Sequence, residues 1–177
     1  MKQLFLLLLF LPNLLFSQVT IKNSNTESKT DIEVIFVAGL TNAISFVSQI
    51  NTFKLGYGTS AKVKSFMYNT DPANISKVLA DNPNIPIFLF SAGCTQVTNL
   101  IDNPNVDKNK IFLIEPYTVY ATSKTRIESA INSGIPSRNV FVGPVSTRGS
   151  NINKDTTKVP NGTSHLGALK YAAELSK

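Results

Sequence analysis

The sequence predicts an α/β fold: a five-stranded, parallel, doubly wound sheet of order 2-1-3-4-5, covered on both faces by helices as a three-layer αβα sandwich. Two observations lead there. From residue 31 onward, short runs of β-branched, aromatic and aliphatic residues alternate with segments of helical apolar spacing, in one strand–helix unit after another. The strand-like runs are apolar throughout rather than at every second residue, the texture of strands buried on both faces. Right-handed crossovers restrict the topology, and 2-1-3-4-5 is the common five-strand solution.

Ile32 to Ala38 reads as the first strand, ending at Gly39. Ala43 to Phe53 has Ile44, Val47 and Ile50 at helical spacing, and Gly56 and Gly58 read as its break. Lys62 to Tyr68 is the second strand. Asp71-Pro72 reads as a helix start, with the aspartate as cap and proline in the first turn. Ile75, Val78 and Leu79 form the apolar stripe, and Asn82-Pro83-Asn84 the end. Ile85 to Phe90 is the third strand, followed by a helix carrying Val97, Leu100 and Ile101. Ile111 to Ile114 is the fourth strand. Thr125 with Glu128 matches a capping box opening the next helix, which Gly134 stops. Val140 to Val142 is the fifth strand. A polar loop, Ser146 to Ser164, leads to a final helix over Leu166 to Leu175.

The N-terminus has a different texture. Met1-Lys2-Gln3 carries one charge, Leu4 to Leu15 is almost entirely leucine and phenylalanine, and Ser17-Gln18 is polar. This is the layout of a secretory signal peptide over residues 1–17, which implies export to a periplasmic or extracellular destination. The apolar run falls short of the roughly 20 residues of a membrane-spanning helix, so no stable membrane span is expected. Residues 18–30 read as a flexible linker and residues 31–177 as the folded domain.

Composition narrows the function. The net charge is +6, with the 17 basic residues scattered rather than gathered in a stripe. Nucleic-acid binding, which would want such a stripe, is therefore not expected. One cysteine, Cys94, permits no internal disulfide, and one histidine with one cysteine makes no zinc ligand set. Gly56-Tyr57-Gly58 follows a helix pattern, not a strand, and so is no dinucleotide fingerprint. No phosphate-binding loop pattern occurs, and no cofactor is expected.

In a sheet of this order, ligands bind beyond the carboxyl ends of the strands, at the switch between the first and third. Gly39-Leu40-Thr41-Asn42 and Ser91-Ala92-Gly93-Cys94 are the loops there. A serine directly after a buried strand, followed by small residues and a helix, sits on a turn tight enough to push its hydroxyl over the sheet edge. The amide of Ala92 then points where an oxyanion forms, with Gly39 or Leu40 as the second donor. Ser91 needs a base. His165, the only histidine, precedes the last helix on the same edge. Two carboxylates could orient it. Glu115 ends the fourth strand, beside the strand of Ser91, and Asp155 lies in the loop before His165.

The segment Leu89-Phe90-Ser91-Ala92-Gly93-Cys94 resembles the nucleophile elbow of the α/β-hydrolase superfamily, in its minimal cutinase-like and lipase-like members. The resemblance covers residues 31–177 as an order of elements. It implies a serine hydrolase of carboxylic esters, acting on a small-molecule, lipid or polysaccharide acyl ester. Its members run Ser, acid, His along the chain, and Ser91, Glu115 and His165 follow that order. Glu115-Pro116 is similar to the Asp-Pro pair that holds the acid in pancreatic-type lipases. Two positions differ from the family. Leu89 stands where it has glycine two residues before the serine, and Pro144-Val145-Ser146, after the fifth strand, holds no carboxylate. These departures motivate a second reading, a non-catalytic binding protein on a degenerate scaffold. A third is a flavodoxin-like protein in which Ser91 merely caps a helix.

Overall fold

The first strand, β1 (Val34–Val37), is buried along its whole length. Residues 31–177 are described by the computed structural model; the expected signal peptide, 1–17, and linker, 18–30, lie outside the described residues. β1 pairs in parallel with β2 (Val63–Phe66) on one side and β3 (Ile87–Phe90) on the other. β4 (Ile111–Ile114) and β5 (Val140–Val142) continue the sheet, again in parallel. The expected order 2-1-3-4-5 is therefore observed, extended by a two-residue edge strand, β6 (Thr157–Lys158). Sequence reading missed β6 because Thr157 and Lys158 sit in a polar stretch with no apolar run to mark them.

Period-two alternation divides the core into two layers. Ile35, Val37, Ile87, Leu89 and Leu113 face one side. They pack there with Ile75 and Leu79 of α2 (Pro72–Asp81), Val97 and Leu100 of α3 (Val97–Leu100) and Ile127 of α4 (Ala121–Asn132). Val34, Phe36, Phe88, Phe90, Ile114 and Phe141 face the other. They meet Phe53 of α1 (Ala43–Tyr57) and Ala168, Leu169, Ala172 and Ala173 of α5 (His165–Leu175). Aromatic rings dominate this second layer: Phe36 stacks on Phe53 at 4.9 Å between centroids, and Phe88 on Phe112 at 4.5 Å.

Helix starts follow local chemistry. Asp71 accepts from the Ala73 amide at 2.9 Å, with Pro72 in the first turn as expected. Asn42 caps α1 through Ser45, and Ser164 caps α5 through Gly167. The Thr125–Glu128 capping box is not used. α4 begins a turn earlier, at Ala121, so Thr125 lies inside it and bonds back to the Ala121 carbonyl at 3.0 Å. Glu128 is then free to accept from the Asn153 amide. After β3 the chain forms a 3-10 turn over Ser91–Gln96 before the single turn of α3, rather than one long helix.

The inner face of α1 also differs from the apolar stripe. Ile44 and Val47 are exposed, whereas Gln49, Phe53 and Gly56 are buried. Gly56 does not break the helix, which runs on to Tyr57. It is the point where α1 meets α5: a Cβ on Gly56 would collide with the Lys170 carbonyl oxygen and lie 3.0 Å from the Ala173 Cβ. Backbone cannot yield as a flexible side chain can, so Gly56→Ala should destabilise the fold by about 1–3 kcal/mol, the ordinary cost of overpacking. Denaturant unfolding of the two proteins measures this. A variant as stable as the native chain would mean that the two helices are not in such close contact.

Candidate active site

Three neighbouring strands, β1, β3 and β4, end at the same edge of the sheet and deliver Gly39, Ser91 and Glu115. Two of these have an unusual backbone. Ser91 has φ 52° and Glu115 has φ 43°, both in the left-handed region that L-residues other than glycine rarely adopt. The third such residue among those described, Asn84, belongs to a type that tolerates it. Strain of this kind persists only where the surroundings impose it. At Ser91 they do. The chain reverses between β3 and the 3-10 turn, and a Cβ on Gly93 would lie 2.6 Å from the Ala38 carbonyl oxygen. The turn is thus pressed against the end of β1. Ser91 also neighbours Gly39, where an added Cβ would stand 2.8 Å from its own Cβ.

Glu115 is fully buried. Its amide donates to the Phe141 carbonyl at 2.7 Å, which ties it to β5. Its carboxylate fills the space beside Gly143, where a side chain would overlap Oε1. Oε2 meets Nδ1 of His165 in a short contact. The imidazole lies against the Phe90 ring, 4.4 Å between centroids and tilted by 31°. Oε1 has no hydrogen-bond partner among the described residues; the Arg148 guanidinium stands 3.8 Å away.

Ser91 and His165 border two cavities together. One, about 250 Å³, is also lined by Gly39, Leu40, Ser48, Gln49 and Phe90. The other, about 460 Å³, is lined by Leu40, Ala92, Tyr117, Tyr120, Thr147 and Arg148. With Nδ1 held by Glu115, Nε2 is the ring atom left for other chemistry. The Ser91 hydroxyl bonds to nothing among the described residues, and no side chain caps the 3-10 turn that it begins. A capping role for Ser91 therefore has no support here, in contrast to Asn42, Asp71 and Ser164.

The other anticipated residues separate. Asp155 is exposed in the loop before β6 and makes no hydrogen bond or ion pair with His165, whose partner is Glu115. Ala92 follows Ser91 in the first turn, where amides have no partner within the helix. Leu40 is 71% exposed and borders both cavities. The Gly39 amide is already engaged, donating to Gln49 Oε1 at 2.9 Å. Sequence reading missed Gln49, Tyr117, Tyr120 and Arg148. None of the four carries a local pattern in the sequence that sets it apart from a surface residue. Beneath the turn, Cys94 is buried, its Sγ donating to the Leu89 carbonyl at 3.0 Å, and burial raises its thiol pKa far above the ordinary value.

Among the described residues no group of histidine, cysteine and carboxylate side chains could hold a metal ion, and no helix is long and apolar enough to cross a membrane. No family model matches the chain, and no curated protein or solved structure matches it. Function is therefore inferred from the site itself.

The positive φ of Ser91 makes a test independent of any substrate. Ser91→Gly should be more stable than Ser91→Ala by about 1–2 kcal/mol, because only the alanine keeps a Cβ in the left-handed region. In a regular element the order is the reverse. Chemical denaturation of both variants decides it, and equal stabilities would remove the strained turn.

Proposed function

We propose that this chain is an exported serine hydrolase of carboxylic esters, a minimal member of the α/β-hydrolase superfamily, with Ser91 as nucleophile, His165 as base and Glu115 as the acid that orients it. One observation carries the proposal. The sole histidine has one ring nitrogen on a buried carboxylate and shares both its cavities with a serine on a strained turn.

In this reading Ser91 Oγ attacks the ester carbonyl carbon as His165 Nε2 takes the hydroxyl proton. Glu115 fixes the tautomer and stabilises the imidazolium that forms. The amides of Ala92 and Leu40 serve the developing oxyanion. Collapse of the tetrahedral intermediate expels the alcohol, protonated by the imidazolium, and leaves an acyl group on Ser91. Water, deprotonated by His165, then attacks that group, releasing the acid and the free serine. The two cavities flank the Ser91–His165 pair and suit the two halves of a small ester or of an ester at the end of a larger lipid or polysaccharide.

A non-catalytic binding protein on the same scaffold is the second reading. It is favoured by the Gly39 amide, which is bonded to Gln49 and so withdrawn from any oxyanion. One experiment separates the two. Under the hydrolase reading a fluorophosphonate probe labels Ser91, and p-nitrophenyl butyrate is turned over. Ser91→Ala, His165→Ala and the double variant should each lose on the order of 10³-fold or more, and nearly the same amount, since the residues act as a unit. A chain that neither reacts nor turns over ester would favour the binding protein, and a fully active His165→Ala would remove the Ser91–His165–Glu115 triad.

A further inference from the structure

Arg148 is a cation in the larger cavity whose guanidinium N–H groups are left without hydrogen bonds among the described residues. Its backbone is fixed. The Arg148 amide donates to Val145 at 2.8 Å, and its carbonyl accepts from Gly143 at 2.9 Å. Its side chain is 32% exposed and borders the same space as Ser91 and His165. Among the described residues, the one acidic side chain within ion-pair distance is Glu115, at 3.8 Å, beyond hydrogen-bond reach. That carboxylate is committed through its other oxygen to His165. The guanidinium thus makes no hydrogen bond among the described residues. A half-buried arginine with its donors unengaged, facing a cavity, is arranged for a planar anion that accepts two parallel N–H bonds. The exposed rings of Tyr117 and Tyr120, with centroids 6.1 Å apart, wall the same cavity and suit an apolar or planar stem leading to such a group.

We infer that the half of the substrate occupying the Tyr117–Tyr120–Arg148 cavity carries a carboxylate, which Arg148 binds. The inference rests on the hydrolase reading for the identity of the ligand as an ester, but the anion site itself does not need turnover. The preferred substrates are then half-esters of dicarboxylic acids, or esters whose alcohol bears an acid, rather than neutral fatty acyl esters.

The test uses binding to the full chain carrying Ser91→Ala, so that nothing is hydrolysed. With a single histidine in the sequence, the His165 Cε1–H gives one imidazole proton signal by NMR. Monomethyl succinate and methyl butyrate are titrated in turn. The half-ester should bind at least about 10-fold more tightly, the low end for a hydrogen bond to a charged group. Adding Arg148→Gln should remove most of that preference, and Arg148→Lys should restore part of it. In the protein with Ser91 intact, the ratio of kcat/KM for the two esters should fall in parallel. Equal binding of the two esters overturns the inference, as does a preference that survives Arg148→Gln. Loss of turnover of both esters in equal proportion would overturn it too, since Arg148 would then serve Glu115 alone. A native chain that turns over neither ester would remove the hydrolase reading while the binding preference still decides the anion site.

Discussion

An ionised carboxylate taken out of water loses several kcal/mol of hydration, and it stays in a fold only where other groups replace that water. Glu115 is fully buried, and the surroundings of the candidate site are organised around it. β5 holds its amide, Gly143 leaves room for its carboxylate, α5 brings His165 to Oε2, and Arg148 stands beside Oε1. Removing His165 would leave the buried carboxylate without a side-chain hydrogen bond among the described residues, with only the Arg148 guanidinium 3.8 Å from Oε1 beside it. The position of the imidazole, at the first residue of α5, is accordingly set by the acid more than by the loop that leads into the helix, most of whose residues are exposed.

The rest of the edge is fixed by rigid elements. Ser91 and Glu115 follow neighbouring buried strands in exact parallel register, Phe90 opposite Ile114, so their separation varies little. Both adopt a backbone that costs on the order of 1–3 kcal/mol each. The aromatic layer of Phe36, Phe53, Phe88 and Phe112 and the close meeting of α1 with α5 supply the packing that holds such a backbone in place. Stability made in the core is thus spent at the edge.

The sheet is legible in the sequence because strands covered on both faces must be apolar at every position, as Ile85–Phe90 and Ile111–Ile114 are. Ser91 and Glu115 stand out for the same reason, each being the first polar residue after such a run. That Glu115, not Asp155, reaches His165 follows from strand order once β4 is placed beside β3. Other features are not legible. Ile44 and Val47 mark α1 as a helix yet face solvent, because its inner face is chosen by the stacking of Phe53 on Phe36 and by the approach of Gly56 to the backbone of Lys170, partners that lie on other elements. Arg148 and Gln49 carry no local pattern, since their partners come from other elements. β6 is too short and too polar to register. The 3-10 turn after Ser91 replaces an expected helix because Gly93 is held against β1, a contact that no local spacing reveals.

Cys94, lying under the turn of Ser91, has a practical consequence. Thiol reagents attack the thiolate, and burial keeps this sulfur both protonated and out of reach. A cysteine placed on the exposed rim, at Tyr120 for example, would therefore take a fluorophore or spin label alone, without first removing the native thiol. Occupancy of the cavity could then be followed optically in the otherwise unaltered chain, which has no tryptophan to interfere.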